Sequence, residues 1–522
     1  MSDDKAFQLT APEVDSLLIL CDEAMRATPE NVKRFIEPAP GVLAQSKAKQ
    51  HSIIFGRRGS GKSSLLRKVV ADLTLDRRPI SFVDMETFKG HSYPDVLISV
   101  LIKSLQEFEK WLETAATTPA QRTKFWLKFW GSKPERKPFN KAKTGELVDE
   151  LKSIIKDLSE RLAMPEIVDV QHNSQNESSL SGSVKAGISS PIAKVDGEVA
   201  TGSKLTVGVQ KTYQSHKTEY LHQNILRFQR FFTELGELSD GPAYLILDDL
   251  YHIRRSDQAK VIDYFHRIAK GNSLWLKIGT IKHRSDWYIH TDPPIGVKLG
   301  DDAKEINIDI SLEKFLILKE FMRKILSNIM DETPPLNVNG LLNSTAIDRL
   351  IIASGGVTRD FIGIFAKAIN QARNRGIEHH RGPKVGAEDV NLATGEYGES
   401  KREEFKLDAN EDRVALEESF QKLVDFCIGK SKCNIFLIPL RKSENDYDAI
   451  EQLIDLRLVH LVQSRVTLKK GAEGKIFQAY MLDTSEYVAS RKVHGFTIID
   501  LNSKSFSEDI RKSKLVYSPL KD

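Results

Sequence analysis

His51-Ser-Ile-Ile-Phe55 runs directly into Gly56-Arg-Arg-Gly-Ser-Gly61-Lys62-Ser63-Ser64-Leu65-Leu66. The first five residues have strand character, and Leu65, Leu66, Val69 and Val70 recur at helical spacing after the glycines. Between them Gly56 to Ser63 fits the G-x-x-x-x-G-K-[ST] pattern in full. Phosphate chemistry explains these residue types. Glycines let backbone N–H groups curl around an anion, and the N-terminus of the following helix adds partial positive charge. Lys62 would reach the β- and γ-phosphates of a nucleotide, and the Ser63 hydroxyl would ligate magnesium. The expected nucleotide contacts are therefore Gly56, Arg57, Arg58, Gly59, Ser60, Gly61, Lys62, Ser63 and Ser64. The side chains of Arg57 and Arg58 stay open between phosphate, a neighbouring subunit and solvent.

A magnesium-nucleotide site also requires a carboxylate at the end of a buried strand. Ala243-Tyr-Leu-Ile-Leu247-Asp248-Asp249 supplies an apolar run that ends in two acids. Asp248 is the expected magnesium contact and Asp249 the group that polarises attacking water; the alternative is that either carboxylate caps the next helix. Leu274-Trp-Leu-Lys-Ile-Gly279-Thr280 reads as a further strand with a polar end, where a γ-phosphate sensor would sit. Thr280 leads, with Lys282 and Arg284 as rivals. Ala353-Ser-Gly-Gly-Val-Thr-Arg359-Asp360 precedes a helical pattern of Phe361, Ile362, Ile364, Phe365, Ala368 and Ile369. An arginine there is ordinarily a surface charge, but in a nucleotide lid it overlooks the γ-phosphate.

Strand patterns at 51–55, 80–85, 243–247, 274–279 and 305–310 alternate with helical ones, which predicts an α/β fold with a parallel sheet covered on both faces. The 522 residues exceed one hydrophobic core. The expected division is an N-terminal helical segment to residue 50, a P-loop core over 51–311, a helical lid over 312–395, a winged-helix-like domain over 408–490 and a tail over 491–522. Lys62 and Asp248 lie too far apart for a simple strand-helix unit, so an insertion is expected at about 113–215. Apolar residues at 40% and charged residues at 28% describe a soluble globular chain. Cys21, Cys427 and Cys433 are too few and too scattered for a disulfide framework. With no apolar signal core and no long uncharged run, a cytoplasmic protein without a transmembrane segment is expected.

The net charge of +4 conceals an uneven distribution. Residues 122–143 carry Arg122, Lys124, Lys128, Lys133, Arg136, Lys137, Lys141 and Lys143 against Glu135 alone, with Phe125, Trp126, Phe129, Trp130 and Phe139 interleaved. Cations for phosphates beside rings that stack on bases make a candidate DNA surface. An anionic membrane face would suit the same mixture, as would an amphipathic helix with its rings packed on the core. Residues 172–212 are rich in Ser, Gly, Asn and Val and read as a mobile loop or loose hairpin. His379 and His380 stand without ligand spacing and read as solvated.

In this order the motifs resemble the AAA+ ATPases, and within them the origin-recognition and initiator-loader clade. The resemblance covers about 51–112 and 216–395 and includes Arg375-Gly376 and Val385-Gly-Ala-Glu-Asp-Val390. It implies an ATP hydrolase with ATP and Mg2+ as cofactors, Arg359 as the sensor arginine of the lid and a C-terminal winged helix. Asp249 stands where the clade carries Glu, which implies slow hydrolysis. Thr280-Ile-Lys-His-Arg284 departs from the clade's Asn sensor and is similar to the Thr-x-Arg ending of STAND signalling ATPases. Arg284 and the pair Arg254-Arg255 are arginine-finger candidates, and a homo-oligomer stays open. Val414 to Ile428, Asp448 to Leu458, Val459 to Val462 and Ile476 to Met481 suit a winged helix. However, Glu444, Asp446, Asp448, Glu451 and Asp455 crowd its recognition helix, which favours a protein partner over base edges. Two functions follow: an ATPase whose nucleotide state switches engagement of DNA or a protein partner, or a STAND-like regulatory switch with little turnover. A role for the latter in anti-phage defence rests on fold analogy.

Overall fold

A computed structural model describes residues 8–117, 139–164, 216–379, 382–408, 413–440, 448–469, 475–488 and 495–518. Five strands, β1 (Ser52–Phe55), β2 (Ile80–Asp84), β3 (Ala243–Asp248), β4 (Leu274–Thr280) and β5 (Lys304–Asn307), pair in parallel in the order β2-β3-β4-β1-β5. The expected α/β sheet is present, and β4 lies between the strand feeding the glycine loop and the strand ending in the acids.

Alternation along these strands sorts their side chains to the two faces. Ile54, Tyr244, Ile246 and Ile306 meet Leu65, Leu66, Val69 and Leu73 of the phosphate-loop helix Lys62–Leu75. Ile53, Phe55, Leu245, Leu247, Leu276 and Ile278 face helices Asp95–Thr117, Lys141–Ala163, Ile225–Leu238 and Arg255–Ala269. Helix Lys141–Ala163 falls within the stretch read as an insertion, yet its Leu147, Leu151, Ile154 and Leu158 are buried in this core. Of the cationic segment 122–143, residues 122–138 lie outside the described residues, as do 172–212. Its end is used structurally: Phe139 stacks edge-on against Trp111 at 5.3 Å, and Lys143 pairs with Glu234 at 3.4 Å.

A second core joins the N-terminal helix Pro12–Ala24 to helices Phe315–Met330, Ser344–Ala353, Thr358–His379 and Ala387–Asp408, the stretch expected to form a lid. That core also takes in Ile435, Leu437, Val462, Phe477, Ala479 and Met481 of the C-terminal region. There β6 (Ile435–Pro439), β7 (Val459–Thr467) and β8 (Ile476–Leu482) form an antiparallel sheet in the order β6-β8-β7. Helices Arg413–Asp425 and Asp448–Asp455 contribute Leu416, Phe420, Leu423, Ile450 and Leu453 to a third cluster on it. The acids Glu444 and Asp446 lie outside the described residues. Glu451 and Asp455 turn onto the chain itself: Glu451 pairs with the His283 ring at 3.1 Å, and Asp455 accepts the His283 N–H at 3.0 Å. No helix among the described residues is long and apolar enough to cross a membrane.

Candidate nucleotide site

Gly59 and Gly61 adopt positive φ, and the loop they shape delivers Lys62 and Ser63 to the start of the phosphate-loop helix. Lys62 is buried, and its Nζ donates to the carbonyls of Gly56 at 2.9 Å and Arg57 at 3.2 Å. Burial lowers the pKa of this ammonium, while the carboxylates of Asp249 and Asp248 oppose the shift. Asp248, at the end of β3, is pushed up to about 7, first by burial and then by the charge of Asp249; a hydrogen bond from Ser63 opposes this. Asp249 is raised as well, again chiefly by burial, and sits at φ 53°, outside the strand.

Arg58, Lys62, Ser63, Asp249 and Arg359 line one polar cleft, together with Glu86, Tyr251 and His252. Helix Thr358–His379 borders it, its Arg359 N–H donating to the Gly59 carbonyl at 3.1 Å. The cleft continues into an apolar pocket lined by Phe35, Ile36, Pro38, Phe321, Ile325 and Ile329, and Gly61, Ser64 and Thr358 border both. A polar end for phosphates thus adjoins an apolar end of the kind that buries a base.

Asp248, buried behind Ser63, and Gly56 do not themselves line the cleft, and two further expected residues turn elsewhere. Thr280 is wholly buried with its hydroxyl against that of Ser285 at 2.5 Å, and it does not line the cleft. Arg57 turns its side chain away from the cleft: Nη1 donates to the Gly355 carbonyl at 3.1 Å, and Nε lies 3.5 Å from Asp309. Of the rivals, Lys282 pairs with Glu305 at 2.6 Å, and Arg284 lines a small cavity with Arg58, Lys401 and Asp455. Arg255 forks onto Asp286 through two 3.0 Å bonds, and Arg254 is exposed beside it. Sequence reading missed Glu86, Tyr251, His252 and the 35–38 wall. The first three stand just beyond the ends of β2 and β3, and that position was the available signal. Burial lowers the pKa of His252, against the nearby charges of Glu86 and Asp249.

The donor set fits magnesium. The Ser63 hydroxyl and the Asp248 carboxylate it bonds offer a divalent cation two oxygen ligands. Among the described residues no group of three or more His, Cys, Asp or Glu would hold a metal. Ser63 and Asp248 would hold magnesium, and it would neutralise charge across the phosphates. The strand between loop and acids must leave room for this pair. At Gly279, on β4, a Cβ would stand 2.7 Å from Asp248 Oδ1 and 2.8 Å from Leu66 Cδ1. Gly279→Ala is expected to displace the Asp248 carboxylate and weaken magnesium-dependent nucleotide binding about tenfold, a cost near 1.4 kcal/mol. Titration at fixed nucleotide and varied magnesium checks this; an unchanged magnesium midpoint would refute it.

The sheet order, the glycine loop and the paired acids define an α/β P-loop core. No family model matches the sequence, and neither does any curated protein. Among solved structures the chain is similar to the Orc1 protein of Aeropyrum pernix in complex with DNA, at 12% identity over 91% of this chain and 97% of that one, with a TM-score of 0.35. It is also similar to a Walker-type ATPase of Pyrococcus abyssi, at 12% identity over 89% of this chain and 96% of the other, with a TM-score of 0.42. With TM-scores below 0.5, the assignment rests on the chain's own sheet order and site.

Proposed function

We propose that the chain is an AAA+-type magnesium-dependent ATPase whose nucleotide state switches its engagement of a DNA or protein partner. The carrying observation is the convergence of Lys62, Ser63, Asp249 and the lid residue Arg359 on one cleft with an apolar extension. In this reading Lys62 and the loop N–H groups hold the phosphates, Ser63 and Asp248 hold magnesium, Asp249 orients water and Arg359 faces the γ-phosphate from the lid. The C-terminal sheet is read as winged-helix-like, and residues 122–143 are the candidate DNA surface. Cys21, Cys427 and Cys433 are buried free thiols, which suits a reducing cytoplasm.

A second reading, a regulatory switch that holds its nucleotide with little turnover, is favoured by Thr280 being tied to Ser285 and by the contact of the C-terminal domain with Arg57. Measurement of ATP turnover with and without duplex or single-stranded DNA separates the two. Turnover raised by DNA supports the first; tightly held nucleotide with negligible turnover supports the second; no nucleotide binding refutes both. Asp249→Asn is expected to keep binding within about threefold and to lower any turnover at least about a hundredfold, within the range of general base catalysis. Turnover equal to wild type would remove Asp249 from that role.

A further inference from the structure

His460, on β7, is wholly buried against the back of the phosphate loop. Its Nδ1 lies 3.4 Å from Arg57 Nη1 and its Nε2 2.8 Å from Asp483 Oδ2. A neutral ring protonated on Nε2 satisfies both, accepting from the guanidinium and donating to the carboxylate. The ring also rests on the lid turn: Gly355 has φ 57°, and a Cβ there would overlap the imidazole. Arg57 therefore ties three other segments to the phosphate loop. These are the link after β5 through Asp309, the turn before the sensor helix through Gly355, and the C-terminal sheet through His460.

Behind His460 the contact continues as a chain of alternating charges. Lys401 lies 2.8 Å from Asp483 and 3.0 Å from Asp360; Asp360 takes Arg457, and Arg457 also reaches Glu404. Asp360, Lys401 and Glu404 belong to lid helices, while Arg457 and Asp483 belong to the C-terminal region. A partly separated contact would leave buried charge without its partner, so this interface favours two states, seated or parted.

We propose that seating of the C-terminal domain, through the His460–Arg57 contact, holds the cleft closed and so sets the rate at which bound nucleotide leaves. This rests on the cleft being a nucleotide site. For the lid to swing off the loop, Arg359 must leave the Gly59 carbonyl and Gly355 must leave Arg57, and the seated His460 blocks both by filling the space behind the turn. The acidic helix Asp448–Asp455 seats the same domain at a second point, on His283, which follows β4. Nucleotide and domain seating are then reciprocally linked, each strengthening the other.

The test is a stopped-flow chase of fluorescent N-methylanthraniloyl-ADP from the full chain, with hydrogen exchange of residues 459–467 followed in parallel. His460→Ala is expected to release nucleotide about tenfold faster and to raise exchange in β7. Glu451→Arg, a half-exposed change that sets a cation against His283, is expected to do the same and decides the matter if His460→Ala does not fold. Release unchanged or slower in Glu451→Arg, with nucleotide bound and β7 exchange raised, overturns the proposal and leaves the nucleotide site standing. A wild-type chain that binds no fluorescent ADP overturns both.

Discussion

Lys62→Ala is expected to bind ATP at least about a hundredfold more weakly than the wild-type chain while keeping its fold. The ammonium is positioned by the Gly56 and Arg57 carbonyls and is the cation that faces Asp248 and Asp249 from the loop. A charge-assisted hydrogen bond contributes about 1.5–3 kcal/mol, so two such bonds to phosphate correspond to roughly two to four orders of magnitude in affinity. Removing the charge has a second effect, because Lys62 is among the groups that hold the Asp248 pKa down against burial and the charge of Asp249. Without it the carboxyl is driven further toward its protonated form, and the magnesium ligand is weakened together with the phosphate ligand. Calorimetric titration of ATP into both proteins gives the affinities, and near-UV circular dichroism reports the fold. Binding within about threefold of wild type would remove the central assignment.

The sheet was legible because its signals are local. A buried strand before Gly56 and an apolar run ending in Asp248 and Asp249 are short-range patterns, and both strands lie within a residue of the expected limits. The position of Arg359 on the cleft was legible for a related reason, since a Ser-Gly-Gly turn before an apolar helix fixes where the first helical turn stands. The roles of Arg57 and Thr280 depend on partners far away in the chain. Nothing near Arg57 shows that Gly355 and His460, about 300 and 400 residues on, converge on its guanidinium. Thr280 has the right residue type at a strand end, but a serine five residues on turns its hydroxyl inward. The acidic helix Asp448–Asp455 shows the reverse case. Its charge spoke against base readout, and Glu451 and Asp455 are satisfied by His283 of the same chain, a contact its composition did not specify.

The largest effect on the seating of the C-terminal domain is expected from Lys401→Met. Lys401 is buried between two wholly buried carboxylates, Asp360 and Asp483, one from each side of the interface. Removing the shared cation leaves Asp360 with Arg457 and Tyr397, and Asp483 with His460 and Ser485, so part of the negative charge stays buried without compensation. Breaking a buried pair in this way costs about 3–5 kcal/mol, and the opening of β7 seen by hydrogen exchange should become at least about a hundredfold more frequent. Adding Asp483→Asn should recover a substantial part of that loss, because the orphaned charge goes with it. Acid should act in the same direction through His460, while His283, whose pKa is raised against burial by its bond to Glu451, opposes it at the second seating point. Burial lowers the His460 pKa below its ordinary value, so from about pH 6.5 downward the parted state takes up a proton that the seated state resists. The lowered pKa of Asp483, held by Lys401 and His460 against burial, adds a further loss below about pH 3.9, where only the parted state protonates readily. Protection of β7 that is indifferent to Lys401→Met would show that the charged cluster does not hold the two regions together.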